Sequence, residues 1–147
     1  MNNFLDNCKV SYVSGAVAAG QAATASDIVD MNGWDGVVFI ALTGDATSGS
    51  VLTLAAQQNE LNATGGMATL TGTATYTALS ATDADSKALV LDVQKPNKRY
   101  VRAVFTTATQ DSVKNGIIAI QYRGTHLPAV QDDSVIASAL IYDAAEA

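Results

Sequence analysis

The stretch GVVFIALT at residues 36–43 decides the class of fold. It is made of β-branched, aromatic and other apolar residues, which favour strands, and it runs into the turn-forming cluster TGDATSG at 43–49. Further segments of the same character follow, each bounded by residues that supply turn dihedrals. They are SVLTLAAQ at 50–57, ALVLDV at 88–93, RYVRAVFTT at 99–107 and GIIAIQY at 116–122, with turns predicted at 62–66, 95–98 and 111–116.

The remaining segments fit the same plan. Threonines alternate with apolar residues through 67–78, a period of two that predicts a strand or a bent pair of strands. Residues 9–17 alternate in the same way, and 18–26 is predicted to be a loop or an extended arm. Segments 59–63 and 81–87 tolerate helix but are too short for a stable amphipathic one, so we predict loops. The fold expected is an all-β antiparallel sandwich, jelly-roll-like, with about eight strands and extended terminal segments.

The chain length of 147 residues fits one domain with one core. We expect the β-sandwich domain to occupy 1–128 and a C-terminal tail or added strand to occupy 129–147. Apolar residues alternate in the tail, so it could form a final strand or dock onto a neighbouring chain. The candidate contact residues there are Val135, Ile136, Leu140 and Tyr142.

Charge and composition exclude several classes of partner. Charged residues are 15% of the chain, below the usual ~25%, and the net charge is −6. An acidic chain argues against nucleic-acid binding, and a protein partner fits it better. No apolar run is long enough to cross a bilayer, and the N-terminus lacks the features of a signal peptide. We therefore expect that the protein has no membrane partner and that it is made in a cytoplasm.

Catalytic and metal-binding patterns are scarce. Cys8 and His126 are the single cysteine and histidine, too few for a zinc site made of these residues, and no nucleophile-elbow motif accompanies His126. The TDADS segment at 82–86 lacks the glycine and glutamate of a calcium loop, so it is predicted to be a solvated turn. We therefore expect no enzyme activity, no cofactor and no metal, and a loop or interface role for His126.

Two features favour binding. Four cations fall within eight positions, Lys95, Lys98, Arg99 and Arg102, which is typical either of a soluble hairpin turn or of a contact with an acidic protein surface. Trp34 precedes the strongest strand and is either an anchor at the edge of the core or a ligand platform. Both alternatives stay open at this point.

Several runs resemble small proteins encoded beside the major capsid protein of tailed bacteriophages, the head decoration or cement proteins. The similarity extends over about 9–128. It is carried by DMNGWDGVVFIAL at 30–42, AAQQ at 55–58, LVLDVQKPNKRYVR at 89–102 and NGIIAIQY at 115–122.

The resemblance implies a β-sandwich with no cofactor and no active site that binds the outside of the expanded head. Its partners would be the major capsid protein and further copies of itself, as a homodimer or homotrimer, and its place the outer surface of the virion. The candidate contact residues are Trp34, the four cations, His126 and the tail residues named above. A carbohydrate-binding module on the virion surface is the alternative, for which Trp34 and the tyrosines would have to supply an aromatic platform.

Overall fold

The structure, a computed structural model, describes residues 3–141. Within this range one short helix precedes eleven strands. The helix α1 (Phe4–Asn7) begins at Asn3, whose side-chain oxygen accepts a hydrogen bond from the Asp6 N–H at 2.8 Å. The strands are β1 (Cys8–Ser14), β2 (Val17–Gly20), β3 (Ala23–Ala25), β4 (Val29–Asp30), β5 (Trp34–Ala46), β6 (Val51–Asn59), β7 (Ala68–Thr69), β8 (Ala74–Thr77), β9 (Ala88–Gln94), β10 (Tyr100–Ala108) and β11 (Ser112–Gly124).

The strands form two antiparallel sheets that pack face to face. Sheet A has the order β1-β11-β5-β9, and β2 continues β1 along the same side of β11. Sheet B has the order β3-β10-β6-β7, with β4 also on β10 and β8 also on β6. If each short strand is merged with the one it continues, each sheet has four strand positions, the arrangement of a jelly roll. The predicted all-β, jelly-roll-like sandwich is confirmed.

The core lies between the two sheets and is built from alternate residues of the long strands. Inward-facing side chains of β5 and β6 include Phe39 and Leu54, and those of β10 and β11 include Phe105 and Ile117, all at most 1% exposed. Burying each of these side chains contributes about 1.5–3 kcal/mol. The period of two along each strand therefore determines which residues form the core.

The two long sides of the sandwich differ. On one side, polar side chains of sheet A bond to backbone groups of sheet B: Gln121 Nε2 donates to the Asp30 carbonyl at 2.8 Å. On the other side β9 faces β7 and β8 without pairing to them, and two cavities of about 550 and 500 Å³ lie between the sheets. We call this the open side; Leu89 and Leu91 of sheet A and Leu70 and Ala74 of sheet B line it.

Three local expectations need comment. The turn predicted at 111–116 is wrong, because β11 begins at Ser112 and passes through two register shifts against β5. Buried Lys114 holds it there, since its Nζ donates to the Ala22 carbonyl at 2.7 Å and to Thr24 Oγ1 at 2.8 Å. Segment 18–26 contains the end of β2 and all of β3, whereas 67–78 is indeed a pair of short strands, β7 and β8.

Candidate interaction surfaces

Sheet A presents an apolar outer surface. Its residues alternate with the core-facing ones, and cross-strand pairing sets them in rows across β1, β11, β5 and β9. One row is Tyr12, Ile118, Ile40 and Val90. We define the apolar face as Val10, Tyr12, Val38, Ile40, Leu42, Val90, Ile118 and Ile120.

The apolar face is in contact with solvent. Val90 is 56% exposed and Tyr12 is 47% exposed, and the others are half-buried by their neighbours on the sheet. Three rows across four strands hold twelve positions, and the apolar face fills eight of them; with strands about 4.8 Å apart and same-face residues about 6.8 Å apart, these eight span on the order of 260 Å². The remaining positions include Asp92, which pairs with Val38, and Ala88, which pairs with Leu42. A contiguous apolar patch of a few hundred Å² is near the upper end for a soluble monomer and is often functional.

The outer surface of sheet B is different in chemistry. There β6 and β10 present mostly small or polar side chains, and the added strand β8 contributes more threonine. Arg102 lies on this surface, and its Nε donates to Gln57 Oε1 at 2.8 Å. We define the polar face as Thr53, Ala55, Gln57, Thr75, Arg102, Val104 and Thr106. The molecule is thus two-sided, with one face suited to water and one suited to burial.

A tyrosine and an aspartate meet beside the apolar face. Tyr122 donates its hydroxyl hydrogen to Asp92 Oδ1 at 2.6 Å, and its ring occupies the space that a side chain at Gly36 would fill. Burial, followed by the hydrogen bond to Asp92, raises the pKa of Tyr122 to about 12. The phenol therefore stays neutral and donates over the whole physiological range.

A second tyrosine and aspartate fasten the loop at the open side. Asp83 accepts hydrogen bonds from the Tyr76 hydroxyl at 2.7 Å and from the Leu79 N–H at 2.8 Å. These bonds, the one from Tyr76 first, lower the pKa of Asp83 to about 2. The TDADS segment is thus a turn, as predicted, but it is not fully solvated, since Ala84 is buried in the core and Asp85 accepts a hydrogen bond from the Ala46 N–H at 2.8 Å.

Four of the predicted contact residues lie at one end of the sandwich. Trp34, Lys95, Lys98 and Arg99 line one open cavity of about 400 Å³. Trp34 is half-buried, packs against the core and lies over Gly124. At this end, the turn before β5 lies next to the turn between β9 and β10.

Part of that positive charge is neutralised. Arg99 makes a two-point contact with Asp30, with its Nε 2.8 Å from Oδ1 and its Nη2 2.9 Å from Oδ2. The hydrogen bond from Arg99 lowers the pKa of Asp30. Arg102 lies apart on the polar face, so the structure divides the predicted cluster between two surfaces.

His126 lies on an exposed turn after β11. Its Nδ1 is 3.0 Å from the Thr125 hydroxyl, and the Thr125 N–H donates to the Gly33 carbonyl at 2.9 Å. His126 is thus a loop residue that neighbours the turn just before Trp34. Within 3–141, no group of three or more His, Cys, Asp or Glu side chains is arranged to hold a metal ion.

The tail runs beside the free edge of β1. Gln131 accepts a hydrogen bond from the Val10 N–H at 2.8 Å and donates to the Cys8 carbonyl at 2.7 Å. Ser134 Oγ accepts from the Tyr12 N–H at 2.8 Å. Two side chains thus satisfy backbone groups that a neighbouring strand would otherwise bond.

Beyond this contact the tail continues into solvent. Residues 135–141 contain no strand, and Val135 is half-buried while Leu140 is exposed. Ile136 is 99% exposed and Ile141 is 74% exposed. Tyr142, the last of the predicted tail contacts, lies outside the described residues.

Sequence reasoning missed the apolar face. The signal was present in VVFIAL at 37–42 and GIIAI at 116–120, where apolar residues fill both parities of the strand. A strand in which apolar and polar residues alternate has one solvent-exposed face, whereas a continuous apolar run is typical of a strand that is covered on both faces. β5 and β11 are adjacent at the centre of sheet A, so their outward residues lie side by side.

Comparisons with known proteins do not assign this chain to a family. No family model and no curated protein matches the chain. Among solved structures, the Eiger TNF of S. frugiperda is similar at 9% identity and a TM-score of 0.39, with 82% of this chain and 99% of that chain covered. A family 35 carbohydrate-binding module of Clostridium thermocellum is similar at 12% identity and a TM-score of 0.22, with 72% and 97% covered. Neither similarity bears on what this chain does.

Proposed function

We propose that this chain is a non-enzymatic decoration protein that binds the outside of an expanded bacteriophage head and bridges its major capsid subunits. The sequence resemblance suggests this class. The observation that carries the proposal is the two-sided sandwich, with its apolar face on sheet A and its polar face on sheet B. We assign the apolar face to the capsid contact and the polar face to solvent.

The chemistry of the apolar face suits binding to a protein shell. The aliphatic side chains carry no charge to desolvate and need little ordering when they are buried on a flat sheet. The charge at the border of the face is Asp92, which pairs with Val38 and accepts a hydrogen bond from the Tyr122 hydroxyl. At about 25 cal/mol per Å², covering the apolar face contributes on the order of 6–7 kcal/mol before the costs of association. A single contact of this size is modest, and repeated contacts across a lattice raise the avidity.

The test is occupancy on heads. Purified chain is mixed with expanded heads of a phage that encodes it, from which the native copies have been removed, and bound chain is measured after sedimentation. We expect saturation at a fixed ratio to capsid subunits. Failure of the wild-type chain to bind would contradict the proposal.

Matched variants assign the face. Ile40→Asp places a carboxylate at the centre of the apolar face, and Thr53→Asp places one on the polar face at a similarly half-buried strand position. We expect at least a tenfold loss of affinity for the first and less than twofold for the second. If Ile40→Asp lowers the melting temperature, Ile40→Thr keeps a β-branched residue there and should weaken binding in the same direction. Equal binding by all variants would rule out the apolar face as the contact.

A second candidate function is glycan binding at the Trp34 cavity. The observation that favours it is the tryptophan ring beside the polar side chains of Asn32, Asp35 and Asn97. A glycan array, followed by titration of the Trp34 indole N–H signal, tests it. Silence on the array together with an unmoved indole signal would reject this candidate.

A further inference from the structure

The two edge strands of sheet A differ in whether other residues bond to their outer backbone groups. The β1 edge is covered by Gln131 and Ser134, whereas β9, at the opposite edge, pairs only with β5 among the described residues. β9 is seven residues long, and a free edge of that length is a template for another strand. The stretch Leu89-Val90-Leu91 also makes it apolar on both faces.

The register shows which backbone groups of β9 are free to pair. The backbone bonds that flank β9, from the Thr43 N–H to the Lys87 carbonyl and from the Lys95 N–H to the Asp35 carbonyl, join odd-numbered residues to β5. In an antiparallel ladder the alternate residues direct both N–H and C=O away from that partner. The N–H and C=O groups of Ala88, Val90, Asp92 and Gln94 therefore point to the outer edge.

The open side provides room for the side chains of an added strand. Leu89 and Leu91 point inward but are only half-buried, and the two cavities of about 500 and 550 Å³ lie next to them. A strand bonded to β9 would place alternate side chains over these leucines. It would thereby cover apolar surface that the sandwich leaves open.

The tail supplies a segment of matching length and chemistry. Residues 135–141 are seven in number, span about 23 Å when extended, and carry no charge. One parity is small or aliphatic, Val135, Ala137, Ala139 and Ile141, and suits the narrow open side. The other parity includes Ile136 and Leu140, which would extend the apolar face beside Val90.

The tail cannot fill this place within its own chain by the path the structure shows. It leaves the sandwich at the β1 edge, where Ser134 bonds to Tyr12, and β9 lies at the other edge of the same sheet. We infer that residues 135–141 of one copy add as a strand to the β9 edge of a second copy. This joins sheet A of one copy to sheet A of the next through two different surfaces, a head-to-tail contact that forms a ring when the rotation between copies closes.

The inference rests on the proposed function only in one respect, that an oligomer would give a capsid-binding protein several contacts. The oligomerisation itself is tested with the purified chain alone. The edge variant is Val90→Pro, which removes an outward N–H and no bond to β5, and edge strands tolerate proline at such positions. The tail variant is Ile136→Asp combined with Leu140→Asp. The control is Val90→Ala.

The masses are measured by light scattering during size-exclusion chromatography at about 100 µM chain. We expect oligomers for the wild type and for Val90→Ala, and monomers for the edge and tail variants. Mixing the two variants should restore a dimer, since one still has a working tail and the other a working edge. A monomeric wild type, or variants that oligomerise like it, would overturn the inference, as would a mixture that stays monomeric.

A second measurement does not depend on the variants folding. Amide hydrogen exchange of the wild type is followed by NMR at low and high concentration. The N–H groups of Val90 and Asp92 should exchange at least tenfold more slowly at high concentration, while the amides of the exposed loop at 60–66 should not change. Unchanged exchange at β9 would also overturn the inference, and binding of a monomeric chain to heads would leave the proposed function standing.

Discussion

At the scale of single residues, a buried lysine holds a segment in β11 that the sequence predicts to be a turn. The residues around Lys114 are typical of a turn, yet Lys114 is 3% exposed and its ammonium donates to the Ala22 carbonyl, between β2 and β3, and to the Thr24 hydroxyl in β3. Its Nζ also lies 5.9 Å from the centre of the Phe105 ring. Burial lowers the pKa of this ammonium, but the two short bonds keep it paired.

Lys114→Met tests this pairing. The substitution keeps the apolar stem and removes the ammonium, so the Thr24 hydroxyl loses this donor and the Ala22 carbonyl keeps only its bond from the Thr107 N–H. Hydrogen bonds from a charged donor contribute about 1.5–3 kcal/mol, partly offset here by the burial of the charge, and we expect the free energy of unfolding to fall by about 1–3 kcal/mol. Lys87→Met, at an exposed position, is the control and should change it by less than ~0.5 kcal/mol. Urea unfolding gives both values, and equal stability of the two variants would contradict the assignment.

The raised pKa of Tyr122 predicts that the folded chain loses stability at high pH. Its pKa is raised from 10 to about 12 in the folded chain, so its contribution is complete below pH 10 and is lost as the pH rises towards 12. In Tyr122→Phe the fall in the free energy of unfolding between pH 10 and 12 should be smaller than in the wild type. Urea unfolding at several pH values measures the slope, with Tyr12→Phe as control. A slope unchanged by Tyr122→Phe would show that the phenol is not held by Asp92 and burial.

At the scale of elements, the six strands of seven residues or more could be predicted because their residues favour strands and most of their ends carry turn chemistry. The short strands β2, β3 and β4 could not, since they are two to four residues long and gain their partners only through tertiary contacts. β3 and β4, for example, exist because β10 offers them an edge. The helix α1 has a single turn, too short for any periodic signal.

The protected edge of β1 is an element that only the structure reveals, because Gln131 and Val10 are 121 positions apart. Gln131→Ala should leave the backbone groups of Val10, Leu5 and Cys8 without this partner. We expect a loss of about 1–3 kcal/mol in the free energy of unfolding, together with faster aggregation through the uncovered edge. Chemical unfolding and light scattering over time check the two effects.

Gln110→Ala, at an exposed position in the turn after β10, is the control for both measurements. It should match the wild type. Similar stability and similar aggregation rates in the two glutamine variants would mean that the tail does not protect β1.

At the scale of the whole molecule, the sequence predicts a weakly charged exterior but not its division into two faces. Which parity of a strand lies inward depends on the sheet it joins, and in β5 and β11 both parities are apolar. The candidate contacts show the same limit. Trp34 and three cations come together at one end, whereas Arg102 lies on the polar face, because Lys95, Lys98 and Arg99 belong to the turn between β9 and β10 and Arg102 lies within β10.

No helix among residues 3–141 is long and apolar enough to cross a membrane. In the proposed function, what matters is which face of the sandwich is turned towards the capsid. The physical basis is that the apolar face gains free energy by leaving water, while the polar face gains nothing.

The most direct test is a single-particle reconstruction of expanded heads incubated with the purified chain. We predict density for the sandwich on the outer surface, with the β1-β11-β5-β9 sheet against the capsid subunits and the other sheet towards solvent. Heads that carry no such density, or a sandwich that contacts the shell through its polar face, would contradict the central claim.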